Sequence, residues 1–120
     1  MVHKNARIEL RKYEFERRTF TGEFIRYGRC ENKFVTTVLL KDVKDEFGMT
    51  VASHLWINRA RPFYEAKIIH GDIVQFTGFV MRYKKGGNRM ITDFHIRYPS
   101  HVRNISDTMK CSVQYVKGSN

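Results

Sequence analysis

The stretch GDIVQFTGFVMRYKKGGNRMITDFHIRYP, residues 71–99, concentrates positive charge where a hairpin would turn. Arg82, Lys84, Lys85 and Arg89 crowd a loop that opens on Tyr83 and contains Gly86 and Gly87. A turn uses glycines, which take backbone angles other residues avoid, but it has no need of the cations. Guanidinium and ammonium groups neutralise phosphates, and a tyrosine beside them offers a ring on which an unpaired base stacks, worth about 1–3 kcal/mol per base. The alternative is a solvated hairpin whose lysines keep its edge from pairing with another chain.

The whole chain leans the same way. Its 120 residues include 22 Lys and Arg against 12 Asp and Glu, a formal charge of +10. Such an excess implies an anionic partner: nucleic acid, a membrane surface or an acidic protein. No run approaches the ~18 apolar residues of a span, and no membrane partner is expected. The opening MVHKNARIELRKYEFERR lacks the apolar centre of a secretory leader, so the expected location is cytoplasmic. Cys30 and Cys111 belong to no metal-ligand spacing and read as two free thiols, with a disulfide between them as the open alternative. A hydrophobic content of 42% excludes a disordered chain and suits one domain.

Catalysis is not indicated. His54 has Asp42 and Asp45 not far away in sequence, but no nucleophile or paired carboxylate completes a set. The histidines His3, His54, His70, His95 and His101 follow no metal-ligand spacing. Asp42, Asp45 and Glu46 alternate with Lys41 and Lys44, as at a solvated tip. No enzyme activity, metal or cofactor is expected.

Positioning of the charged loops falls to strands. The chain divides into a charged arm (1–18), a strand-rich body (19–98) and a polar basic tail (99–120). Alternation predicts strands over 19–27, 33–42, 49–58, 72–83 and 89–98. In the first, Phe20, Gly22 and Phe24 oppose Glu23, Ile25 and Tyr27. In the last, Phe94, Ile96 and Tyr98 share a face opposite Asp93, His95 and Arg97, and Pro99 is expected to end the ladder. Between the third and fourth strands, Pro62 fits the first turn of a short helix, with Phe63, Ala66, Lys67 and Ile69 on one face and Gly71 as its stop. Apolar residues on both faces of the first and fourth strands suit a curled sheet that closes on itself. The expected fold is all-β: a five-stranded antiparallel barrel with a short helix between strands three and four.

That order, with glycines inside the strands, resembles the OB-fold family, and within it the small single-stranded DNA-binding proteins. FTGEFIRYG, VLLKDVKDEFGMTVASHLWIN and GDIVQFTGFVMRYKKGG carry the likeness, over about two-thirds of the chain. The resemblance implies a ligand crossing strands two and three, gripped by the loops YGRCENK (27–33) and YKKGGN (83–88). Arg26, Arg29 and Lys33 then serve phosphates at the first loop, and Arg82, Lys84, Lys85 and Arg89 at the second, with Arg97 added from the fifth strand. Tyr27, Phe34, Trp56, Tyr83 and Tyr98 are the candidate stacking rings, each with core packing as its alternative, while Phe24, Phe76 and Phe94 are assigned to the core. The family's housekeeping members end in an acidic tail, whereas here Arg103, Lys110 and Lys117 face only Asp107. The closer resemblance is therefore to specialised binders of phage, plasmids or transposing elements. Cold-shock aromatic motifs are absent, so RNA is the second expected ligand. The arm, with Ile8, Leu10, Tyr13 and Phe15 among its charges, either grips a second copy of the chain or the nucleic-acid backbone, or packs on its own barrel.

Overall fold

A computed structural model describes residues 8–29, 35–85 and 91–106. Five strands alternate with one short helix: β1 (Arg17–Arg29), β2 (Val35–Lys44), β3 (Thr50–Asn58), α1 (Arg61–Glu65), β4 (Ile73–Lys85) and β5 (Ile91–Asn104), preceded by a 3₁₀ turn at Ile8–Tyr13. All pairings are antiparallel, and the strands form one sheet in the order β3-β2-β1-β4-β5. β1 is the hinge of this arrangement. Its first half pairs with β4, from Arg17 opposite Phe79 to Glu23 opposite Ile73. Its second half pairs with β2, ending at Arg29 opposite Val35. β3 and β5 approach each other at the two edges, but among the described residues no ladder joins them and the sheet is not closed.

The core follows the predicted alternation. Phe20, Phe24, Leu40, Leu55, Ile57, Val74, Phe76, Val80, Phe94 and Ile96 are buried, each such side chain contributing about 1.5–3 kcal/mol. Phe63 of α1 packs edge-on against Phe76 at 5.8 Å and closes one end of the core. Gly78 is needed on β4 because a Cβ there would collide with Ile96 Cγ2.

Departures from alternation on β1, β2 and the end of β5 share one cause. β-Bulges insert single unpaired residues, which bend a strand and exchange the faces of the residues beyond them. On β1 the register slips between Phe24 opposite Leu40 and Arg26 opposite Leu39. Ile25 is the extra residue, so Tyr27 turns toward the core instead of standing beside Glu23. On β2 the extra residue is Asp42, in the left-handed region at φ 53°. β5 does not end at Pro99. It runs on to Asn104 through two slips, between Phe79–Arg97 and Thr77–Ser100 and again before Gln75–Arg103. Proline, which has no N–H to give a ladder, is tolerated at such bulges.

The helix, the arm and the β2–β3 turn also differ from or decide between the expectations. The helix is a single turn that stops at Glu65, before Gly71. Lys67 N–H donates to Tyr64 O at 3.0 Å and Ile68 N–H to Phe63 O at 3.1 Å, with Lys67 at φ 59°. This is a Schellman stop, and it buries Ile68 while Ile69 stays exposed. In the arm, Leu10 and Tyr13 enter the core, so the described part packs on its own sheet. Asp45, expected at a solvated tip, is buried. Its Oδ1 accepts the N–H groups of Phe47 and Met49 at 2.9 Å, shaping the β2–β3 turn, and Oδ2 accepts the Tyr13 hydroxyl at 2.6 Å.

Candidate nucleic-acid interface

Cross-strand register places Arg26, Leu39 and Trp56 in one row over β1, β2 and β3, with Glu23, Lys41 and His54 in the next. Ile57 and Val38, the neighbours of Trp56 and Leu39 along their strands, point into the core, so this row lies on the outer face. Trp56 remains 44% exposed there. The Arg26 guanidinium carbon sits 5.0 Å from its ring centroid, a cation–π arrangement that holds both side chains in place. Beneath the ring lies Gly28. A Cβ at that position would overlap Thr37 Oγ1 and come within 2.8 Å of the Trp56 ring. The sequence signal for this seat is Gly28 itself, since a glycine inside a strand marks a close approach.

The other candidates separate by how the structure holds them, and Tyr98 is 45% exposed on β5. Tyr27 is half-buried against Phe24, with ring centroids 4.6 Å apart, and its hydroxyl donates to Ile68 O at 2.8 Å. Burial, reinforced by Tyr64 and Asp72, pushes its pKa up. Tyr83 is half-buried and stacks on His95 at 4.7 Å, its hydroxyl reaching Asp93 Oδ2 at 3.3 Å. Both rings therefore belong to packed networks. Arg82 is exposed but paired with Glu14, Nε to Oε2, at 2.5 Å. Arg97 is half-buried on β5 opposite Phe79.

Arg29 ends β1, and Lys84 and Lys85 end β4 opposite Thr92 and Ile91. Because β1 starts beside the far half of β4 and ends beside β2, the two basic connections leave the sheet at opposite ends of β1. Lys33, Phe34 and Arg89 lie outside the described residues, as do Cys30 and Cys111.

Of the predicted set, the structure thus brings together Arg26 and Trp56. Chemically, this pair offers a flat apolar ring for a base and a guanidinium for the adjoining phosphate. Among the described residues no group of three or more His, Cys, Asp or Glu could hold a metal ion, and no helix is long and apolar enough to cross a membrane. No protein-family model matches the chain, and no curated protein is found to match it.

Proposed function

We propose that this chain is an OB-fold protein that binds single-stranded DNA with little sequence preference, as an accessory to the replication, transfer or recombination of DNA. The observation that carries the reading is the exposed Trp56 ring, seated over Gly28 and paired with Arg26 on the outer face of β1–β3. An OB barrel is itself a partly open Greek-key sheet that binds across strands two and three. Cutting such a ring between β3 and β5 leaves the order β3-β2-β1-β4-β5. The charge of +10 supplies the long-range attraction.

Trp56 is the only tryptophan, so its emission reports on this face directly. The test is titration with labelled single-stranded DNA, duplex DNA and single-stranded RNA, read by anisotropy and by Trp56 quenching at two salt concentrations. The reading predicts tight, salt-sensitive binding that prefers single-stranded DNA and quenches Trp56. Binding to none of the three at low salt overturns it, and preference for RNA moves the function to that ligand.

A second reading, a module that assembles a larger protein complex, has one observation of its own. Phe47 and Met49, two positions apart, stand 73% and 59% exposed on the β2–β3 turn that Asp45 shapes, and a contact surface presents such apolar side chains as a contiguous patch. Purified protein free of nucleic acid, judged by its 260/280 nm absorbance ratio, together with loss of complex formation in Phe47→Ser, favours that reading.

A further inference from the structure

Unbroken alternation along β5 would place Tyr98 in the core with Phe94 and Ile96. The structure turns it out instead. The slip after the Arg97–Phe79 pair leaves Tyr98 in the left-handed region at φ 55°, with its side chain 45% exposed and Pro99 buried. That conformation is costly for any residue with a Cβ, and burial of the ring is forgone as well. Two other left-handed residues lie close by in the fold: His101 on β5 at φ 53°, and Arg59 at the end of β3 at φ 98°. Clustered backbone strain of this kind is a pointer to function.

The surroundings of the ring say what it would take. Arg59 reaches across from β3 and places its guanidinium carbon 5.5 Å from the Tyr98 ring centroid. Arg17 comes in from β1, its Nη1 donating to Tyr98 O and Ser100 Oγ, each at 3.4 Å. Arg18 and Arg82 are tied to carboxylates. Among the described residues neither Arg17 nor Arg59 forms an ion pair, which leaves two cations for an anion from outside. Arg59 follows Trp56 by three residues, at most about 10 Å of extended chain. The Trp56 and Tyr98 rings are thus two guanidinium-paired aromatics served by one end of β3.

We propose that Tyr98, with Arg59 and Arg17, is a second nucleotide-binding point: an unpaired base stacks on the Tyr98 ring and the two guanidiniums take the flanking phosphates. This inference rests on the single-strand reading above and extends it. The bound strand leaves the β1–β3 face at Trp56 and turns over the end of β3 onto the bulged segment of β5.

The experiment compares wild type, Tyr98→Ala, Tyr98→Phe and Trp56→Ala by anisotropy with a labelled oligothymidine of about 12 nucleotides, within the ~4–16 that such folds cover. Tyr98→Ala is expected to weaken binding about five-fold or more, the effect of losing one stacked base, and Tyr98→Phe to recover most of it. In parallel, an oligonucleotide carrying 5-bromouracil is photocrosslinked to wild type and the attached peptide mapped. A cross-link at Tyr98 is expected, and this arm is independent of any effect of substitution on folding. If Trp56→Ala loses affinity while Tyr98→Ala binds as wild type, or if cross-links form only elsewhere, the second point is overturned and the single-strand reading stands. If wild type binds no single strand, both fall together.

Discussion

A methyl group at position 28 has nowhere to go, because Thr37 Oγ1 and the Trp56 ring already occupy its space. Gly28→Ala should therefore lift the ring off β1 and loosen its pairing with Arg26, with the surrounding ladder retained. The expected outcome is a red shift of Trp56 emission and a several-fold loss of single-strand affinity, approaching that of Trp56→Ala, with the far-ultraviolet circular dichroism unchanged. Unchanged emission would mean that the ring is not held by this contact. The same scale shows how closely the candidate site could be read from sequence. Trp56 and Arg26 were legible as an aromatic and a cation on strands of suitable phase. Of the candidate rings, Tyr27 packs against the core and Tyr98 turns outward, because Ile25 and Tyr98 occupy bulges. A bulge is a property of a pair of strands, and alternation along one strand cannot locate it.

The strands and α1 were legible because their signals are local: alternating apolar residues, Pro62 at the start of the helix, and Gly48 in a turn. The anchoring of the arm was not, since it joins Tyr13 to Asp45 across 32 positions. That joint has a definite pH signature. The hydrogen bond to Asp45, aided by burial, pushes the Tyr13 hydroxyl up to about 12 from an ordinary 10. The folded state thus holds this proton more tightly than the unfolded chain does. Its contribution is complete below pH 10 and is lost as pH rises toward 12. For Asp45, burial opposes ionisation, but the hydrogen bonds from Tyr13, Met49 and Phe47, with Lys12 nearby, hold the carboxyl below its usual range. Its contribution is present above the ordinary carboxylate pKa and is lost in acid. Tyr13→Phe should shrink the alkaline component of a pH series of urea midpoints, leaving the share that Tyr27 contributes. It should also cost about 1–3 kcal/mol near neutrality, since Asp45 Oδ2 loses its short donor. A wild-type midpoint that stays flat from pH 9 to 12 would contradict the assignment. At the end of α1, Lys67 holds a left-handed position that glycine adopts freely. Lys67→Gly should raise stability by up to about 1 kcal/mol, the relief of strain outweighing the added freedom of the unfolded chain. A higher urea midpoint at constant slope would be the sign.

At the scale of the molecule, the proposed single-strand binding would draw on an excess of ten positive charges on 120 residues for attraction and on the exposed rings for holding. Attraction to phosphates acts through counterion release and is steeply salt-dependent, whereas stacking on a ring is not. If about five phosphates are neutralised, the slope of log affinity against log salt should lie near −3 to −4 for a single strand, about −0.7 per phosphate. Arg26→Gln, or alanine at both Lys84 and Lys85, should make that slope shallower by about 0.7 for each phosphate no longer neutralised and weaken all sequences alike. Trp56→Ala should lower affinity at every salt concentration and leave the slope where it was. Lines measured for the four proteins between about 50 and 200 mM salt then sort the residues by the force each exerts. Parallel lines for wild type and the double lysine variant would mean that the 83–88 connection holds no phosphate, leaving its charge the task of protecting the end of a sheet.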